Sequence, residues 1–311
     1  MLDVRRMRVL REVATRGSFS AAAEALSFTQ SAISQQVAAL ERETGTKLVE
    51  RGARGIRLTQ AGEVLVKHTD AVLARLSSAE DELQALAGLR GGKLRISTFQ
   101  SAGATLVPRA VAAFQRRYPD VELALTQAEP DEATQMLRAG DLDLALVYDF
   151  EDIPGGLDEA LDCVHLTDDR YDLLVARDHP LAERARIVLG DLAGERWINS
   201  TSGSGCRRAV LDACARAGFE PHVAFETDEI LSVQALVATN MGVTLMPQLA
   251  LTTVHPGVVV RPIGPGAPVR HIHAAGLREA FRSPAAEAMV QLLVDTAEEF
   301  APVGAAAVPV A

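Results

Sequence analysis

Two groups of residues in this sequence have types and spacing suited to chemistry, and in both cases the chemistry is recognition. The first is Gln30, Ser31, Ser34, Gln35 and Gln36, which share one side of a helix if residues 30–43 are helical. A glutamine amide can pair bidentately with adenine, and a serine hydroxyl reaches a base or a phosphate. Arg51, Arg54 and Arg57 follow at intervals of three, flanking glycines, and are placed to meet a phosphate backbone. The second group is hydroxyl- and amide-rich: Thr98, Gln100, Ser101, Thr126, Ser200, Thr201, Ser202 and Thr227. Each follows an apolar run that reads as a strand, where open α/β sheets bind small ligands. Each could equally cap the helix that follows it.

Catalytic and metal signatures are missing from the sequence. Gly203-Ser204-Gly205 lacks the Gly-Lys-Ser/Thr of a phosphate loop, and no HExxH, nucleophile elbow or kinase motif occurs. His271 and His273 share one strand face, but two ligands do not make a metal site. No cofactor is implied. Cys206 and Cys214 fall on one predicted helix, about 12 Å apart at 1.5 Å per residue, too far for a disulfide.

The elements that must position these groups follow from periodicity. Leu2, Met7, Leu10 and Val13 predict a first helix stopped by Gly17. Ser20 is read as the cap of a second, Ala21 to Leu26, whose alanines permit a close crossing. Thr29 caps a third, with Ile33, Val37 and Leu40 inward. Lys47–Arg51 and Ile56–Leu58 read as two short strands around a glycine-containing hairpin. A long helix from Gln60 to Ala87 carries Leu65, Val72, Ala79 and Leu86 every seven residues, with Leu76 and Leu83 between, a coiled-coil seam. From Lys93 strands and helices alternate twice over, which predicts parallel sheets with right-handed crossovers in two similar lobes.

The 311 residues carry a net charge of −10, distributed unevenly. Residues 1–60 hold ten Lys/Arg against six Asp/Glu, whereas residues 91–311 hold 18 against 30. A basic head on an acidic body is the asymmetry expected when one end meets phosphate. Three cysteines and no stretch of roughly 18 apolar residues lead to the expectation of a cytoplasmic chain with no membrane partner.

Across residues 5–66 the chain resembles the LysR-type transcriptional regulators. Gly17-Ser-Phe-Ser20 with Ala22-Ala23, Thr29-Gln-Ser-Ala-Ile-Ser34, Leu40-Glu41, Gly45, Leu48, Arg51 and Leu58-Thr-Gln-Ala-Gly62 fall in that family's order and spacing. Tyr118-Pro119 and Gly242-Val243-Thr244 extend the likeness more loosely. The resemblance implies an α/β protein with an N-terminal winged helix-turn-helix (1–59) and a long linker and dimerisation helix with its hinge (60–92). A C-terminal two-lobed periplasmic-binding-protein-like α/β domain (93–300) follows, with lobe I at 93–163 and 269–300 and lobe II at 164–268. A flexible tail (301–311) ends the chain. It further implies a transcription regulator that is not an enzyme, binds inverted-repeat duplex DNA, responds to a small-molecule effector, pairs as a homodimer within a homotetramer and has RNA polymerase as a contact. Gln35, Ala38 and Ala39 stand where the family often has basic residues, which lowers the expected phosphate affinity. No cleft position is cationic, and Arg270 and His271 are only remote candidates for an anion. The competing reading is a cytoplasmic solute-binding sensor without sequence-specific DNA binding.

Overall fold

The computed structural model describes residues 2–52, 55–86, 92–151, 156–201, 203–278, 280 and 282–299. The head begins with α1 (Val4–Arg16), α2 (Phe19–Ala25) and α3 (Gln30–Thr44), followed by the hairpin β1 (Val49–Gly52) and β2 (Gly55–Leu58). Each helix start has a side-chain acceptor for otherwise unpaired amides. Asp3 Oδ1 accepts from Arg5 N (2.8 Å), and Thr29 Oγ1 accepts from Ala32 N (3.2 Å). The cap of α2 is Ser18, not Ser20, so that helix starts two residues earlier than its sequence predicts. Ser18 lies directly after the left-handed Gly17 that ends α1, and the chain turns there. Met7, Leu10, Val13, Ala22, Ala23, Ile33, Val37, Leu40, Leu48 and Leu65 form one buried cluster.

Glu41 fastens the third helix to the wing. Its Oε1 accepts from Leu48 N (3.0 Å) and its Oε2 from Lys47 Nζ (2.7 Å). Burial alone would raise its carboxyl; the hydrogen bonds from Lys47, Leu48 and Val49 outweigh that and hold it below the usual range. The wing strands pair antiparallel, Val49 with Leu58 and Gly52 with Gly55, and Ile56 N donates to Gly17 O (3.0 Å).

Helix α4 (Gln60–Leu86) enters at Gly62, where a Cβ would stand 2.1 Å from the Leu48 carbonyl oxygen. Only glycine lets the helix approach the wing that closely. Leu65 and Thr69 are buried, but Val72, Leu76 and Leu83 are exposed, Leu83 to 66%. At its base Arg11 donates to Ala139 O (3.1 Å) and pairs with Asp141 (3.1 Å), which seats the head on the body.

The body opens with β3 (Gly92–Thr98), α5 (Gln100–Gly103), α6 (Leu106–Arg117), β4 (Val121–Gln127), α7 (Pro130–Arg138) and β5 (Leu144–Asp149). It continues with β6 (Leu161–Ala176), β7 (Arg196–Asn199), α8 (Gly205–Arg216), β8 (His222–Glu226), α9 (Ile230–Ala238) and β9 (Thr244–Pro247). It ends with β10 (Val258–Arg261), β11 (Val269–Leu277) and α10 (Pro284–Glu299). The strand order is β10-β6-β11-β5-β3-β4, with β9 also on β6. Strands β3, β4 and β5 run parallel, and β11 closes them antiparallel. The parallel pair β7-β8 joins β9 through a bridge between Trp197 and Val243. Gly242 is required beside that bridge, since a Cβ there would sit 2.7 Å from Arg196 O.

The apolar pattern predicts a strand only at Tyr171–Ala176, yet β6 runs sixteen residues from Leu161. Its first part pairs with β11 and its last part with β9 and β10, so one strand serves both lobes. One apolar cluster passes through the crossing, from Leu94, Phe114 and Leu146 through Leu173 to Trp197 and Cys214. None of the described helices is long and apolar enough to cross a membrane.

The variant Gly62→Ala overpacks the wing–helix contact, which typically costs about 1–3 kcal/mol. The expected result is faster amide exchange across residues 4–58 with residues 92–299 unchanged; equal exchange in the variant and the parent chain contradicts it.

Candidate DNA-reading face and ligand cleft

The recognition face starts where Thr29 sets the first turn of α3. Ile33, Val37 and Leu40 point into the head, which leaves Gln30, Ser31, Ser34, Gln35 and Gln36 exposed. Two of the five already have partners. Ser31 Oγ lies 3.0 Å from Thr29 Oγ1, and Gln36 Oε1 accepts from Arg6 Nε (3.3 Å), with Arg6 also paired to Glu43. Gln36 therefore sits at the edge of the face against α1. Arg57 is exposed on β2. The Arg51 side chain and all of Arg54 lie outside the described residues.

A cleft of about 730 Å³ opens between the lobes. Gln100, Ser101, Ser200, Thr201 and Thr227 line it, as the sequence predicts. Thr98 and Thr126 do not. Thr98 is buried beneath α5, its methyl close to Gly103 and its hydroxyl donating to Phe99 O (3.2 Å). Thr126 points from the edge strand β4 into solvent, and its neighbour Gln127 reaches the cleft instead, because successive strand residues face opposite ways. Ser202 lies outside the described residues. On the lobe II side Thr201 is held by Asp228, through its N–H (3.1 Å) and its hydroxyl, and Thr227 Oγ1 accepts from Glu229 N (3.2 Å).

The floor holds a cation that the sequence pattern gives only a remote place. Arg270 lines the cleft on the inward face of β11. Its guanidinium lies over the Phe99 ring (4.6 Å) and the Tyr148 ring (4.8 Å). Its Nη2 donates to Ser101 Oγ (2.8 Å) and Asp169 Oδ2 (2.6 Å). The side chains of this ion pair are only 4% and 1% exposed. Burial works against the guanidinium's charge, but Asp169 beside it more than restores it, so Arg270 stays cationic. Burial pushes the Asp169 carboxyl up, opposed by Arg270 and by the N–H of Leu249 (3.0 Å). Arg270 Nε and Asn199 Nδ2 are buried at this cleft and meet no hydrogen-bond partner among the described residues. His271, next in sequence, does not line the cleft. An arginine on the buried side of an alternating strand is the signal that marks this floor in the sequence.

The cysteines behave as their spacing implies. Both sit on α8; Cys214 is buried, its thiol pushed up to about 12 by that burial, while Cys206 donates to the Tyr148 hydroxyl (3.3 Å) at the cleft wall.

A winged helix-turn-helix head, joined by a long helix to a two-lobed body with a polar cleft, defines a ligand-responsive DNA-binding regulator. Residues 4–63 match the bacterial regulatory helix-turn-helix proteins of the lysR family, and residues 87–298 match the LysR substrate binding domain. The chain belongs to the LysR family of transcription regulators, which bind DNA and respond to an effector. It is 32% identical over 299 residues to the probable HTH-type transcriptional regulator LrrA of Synechococcus elongatus, covering 96% of this chain and 98% of that one. It is 30% identical to the uncharacterized HTH-type regulator YybE of Bacillus subtilis, covering 88% and 91%. Among solved structures, a full-length OxyR variant from Pseudomonas aeruginosa superposes with a TM-score of 0.71 at 25% identity, covering 94% and 98%.

Replacing Arg270 by Met leaves Asp169 buried and unpaired, a change that typically costs about 3–5 kcal/mol. Burial holds the Asp169 carboxyl above its unfolded value even with Arg270 opposing it, and without Arg270 that opposition is gone and the carboxyl rises further. The unfolded state therefore releases that proton first as pH rises, and the variant's stability falls with rising pH. The difference in Tm between Arg270→Met and the parent chain should narrow as pH is lowered from about 8 to about 5. A pH-independent difference contradicts it.

Proposed function

We propose that residues 1–59 read duplex DNA, with Gln30, Ser31, Ser34 and Gln35 of α3 in the major groove and Gln36 at its rim. Arg51, Arg54 and Arg57 of the wing take the phosphate backbone or the minor groove. Residues 60–92 pair two chains, and the exposed Val72, Leu76 and Leu83 support that reading, since a monomer gains nothing from a solvated apolar seam. Such dimers read inverted repeats, whose half-site spacing follows the protein's two-fold symmetry. Two dimers assemble as a homotetramer that acts in the cytoplasm and contacts RNA polymerase.

Residues 93–300 then sense a small molecule between lobe I (93–163 and 269–300) and lobe II (164–268). The cleft binds and does not catalyse. The observation that carries this reading is that Arg270 and Asn199, one from each lobe, line the same cleft while each keeps a buried donor, Nε and Nδ2, without a partner among the described residues. A buried donor without a partner is costly, so a ligand that brings acceptor atoms to both is favoured. Gln100, Ser101, Ser200, Thr201 and Thr227 supply the remaining polar contacts. A ligand touching both lobes favours one lobe arrangement over another and so couples to the paired linker helices.

Residue-level binding tests the head. Gln35→Ala should lose about 1–3 kcal/mol on a selected duplex, with random duplex nearly unchanged. Arg57→Ala should weaken both alike and reduce the salt slope by about 1. Equal losses on both duplexes for Gln35→Ala contradict base reading. Leu76→Glu should shift the sedimenting species to half its mass or less; an unchanged species contradicts the seam.

A further inference from the structure

The crossing strands carry a second cluster, which the ligand cleft does not use. Strands β6 and β11 pair antiparallel, and their register slips between Ile272 and His273. On β11 that step is one residue, and on β6 it is two, from Thr167 to His165. The extra residue is Leu166, whose side chain is buried. In a regular strand, residues three apart face opposite ways. The bulge therefore puts His165 and Asp168 on the same side, against His273 and His271.

There Asp168 Oδ1 lies 2.8 Å from His165 Nε2 and 2.8 Å from His271 Nδ1. The three atoms all lie within 4.8 Å of one another. His273 backs the cluster, its ring centroid 5.4 Å from that of His165 and its Nε2 held by Asp149 Oδ1 (3.3 Å). Arg270 faces the cleft on the other side of the strand, and His165, Asp168 and His271 do not line it, although Asp149 behind His273 does.

We propose that His165, Asp168 and His271 form a binding site for a divalent transition ion of the zinc type. Two imidazoles and one carboxylate suit Zn²⁺ or its borderline neighbours, whereas Mg²⁺ and Ca²⁺ favour sets built of oxygen. Ligands at about 2.0–2.1 Å from a tetrahedral ion stand roughly 3.3 Å apart, so the two contacts to Asp168 open slightly as each imidazole turns its lone pair to the ion, its proton carried on the other ring nitrogen or released to water. His165 and Asp168 are about half exposed and free to make that adjustment. Water completes the coordination, as at other three-ligand sites. Because the ligands come from β6 and β11, the bound ion ties the strand that serves both lobes to its neighbour.

The test uses the full-length chain without an affinity tag, stripped with chelator and titrated with Zn²⁺ alone by calorimetry. One ion per chain is expected, with a rise in Tm on binding. The double variant His165→Gln/His271→Gln should weaken binding by at least the tenfold to hundredfold that even supporting residues command, and lose the Tm rise. His222→Gln, elsewhere in the body, should leave both unchanged. Should the double variant fold poorly in chelator, Asp168→Asn at its exposed position reads the same loss. Absence of Zn²⁺ binding, or unchanged affinity in these variants, overturns the proposal.

Discussion

Two charges shut away from water organise the body. Arg270 and Asp169 could not be buried singly, because an unpaired charge in an apolar interior costs several kcal/mol. Their mutual contact leaves other valences to satisfy, and each recruits a different part of the chain. Arg270 takes Ser101 and the faces of Phe99 and Tyr148 from the first lobe, and Asp169 takes the Leu249 N–H from the second. Both residues sit where β11 pairs with the stretch of β6 that leads into the second lobe. The pair therefore fixes the cleft floor and ties it to the crossing at once. A ligand that meets Arg270 contacts a group in bonded reach of both lobes.

The head follows a different logic, in which small residues and caps set distances. Gly62 and Leu48 touch so closely that α4 leaves the wing at a fixed place, and Glu41 pins the wing to the recognition helix. Helix α3 is thus tied through the wing to the start of α4. Arg11 adds a polar tie from α1 to the turn after α7 in the body.

Legibility in the sequence tracks how local each determinant is. The head is readable because its signals are local: Gly17 after the first helix, and Thr29 before an apolar helical period. Strands β3 and β5 are readable from apolar runs. The first ten residues of β6 are not, since Asp162, His165, Asp168, Asp169 and Arg170 interrupt the apolar pattern of a strand whose partners are chosen by tertiary packing. The cleft lining is legible at Gln100, Ser101, Ser200, Thr201 and Thr227, and misread at Thr98 and Thr126. Both errors are errors of face, and one residue of phase decides a face in a strand. The histidine cluster is invisible for a related reason: a bulge changes phase, and nothing in the local sequence announces it.

The head's ability to tell one duplex from another is what gives the cleft and its crossing strands a purpose. Iterative selection of random duplexes by the full-length chain at about 0.15 M salt measures that ability and requires no known target. Enrichment of an inverted repeat is predicted, bound at least about a thousandfold tighter than the starting pool, the low end of the range for specific DNA-binding proteins. A selected pool with no common sequence, bound no tighter than the starting pool, would contradict it.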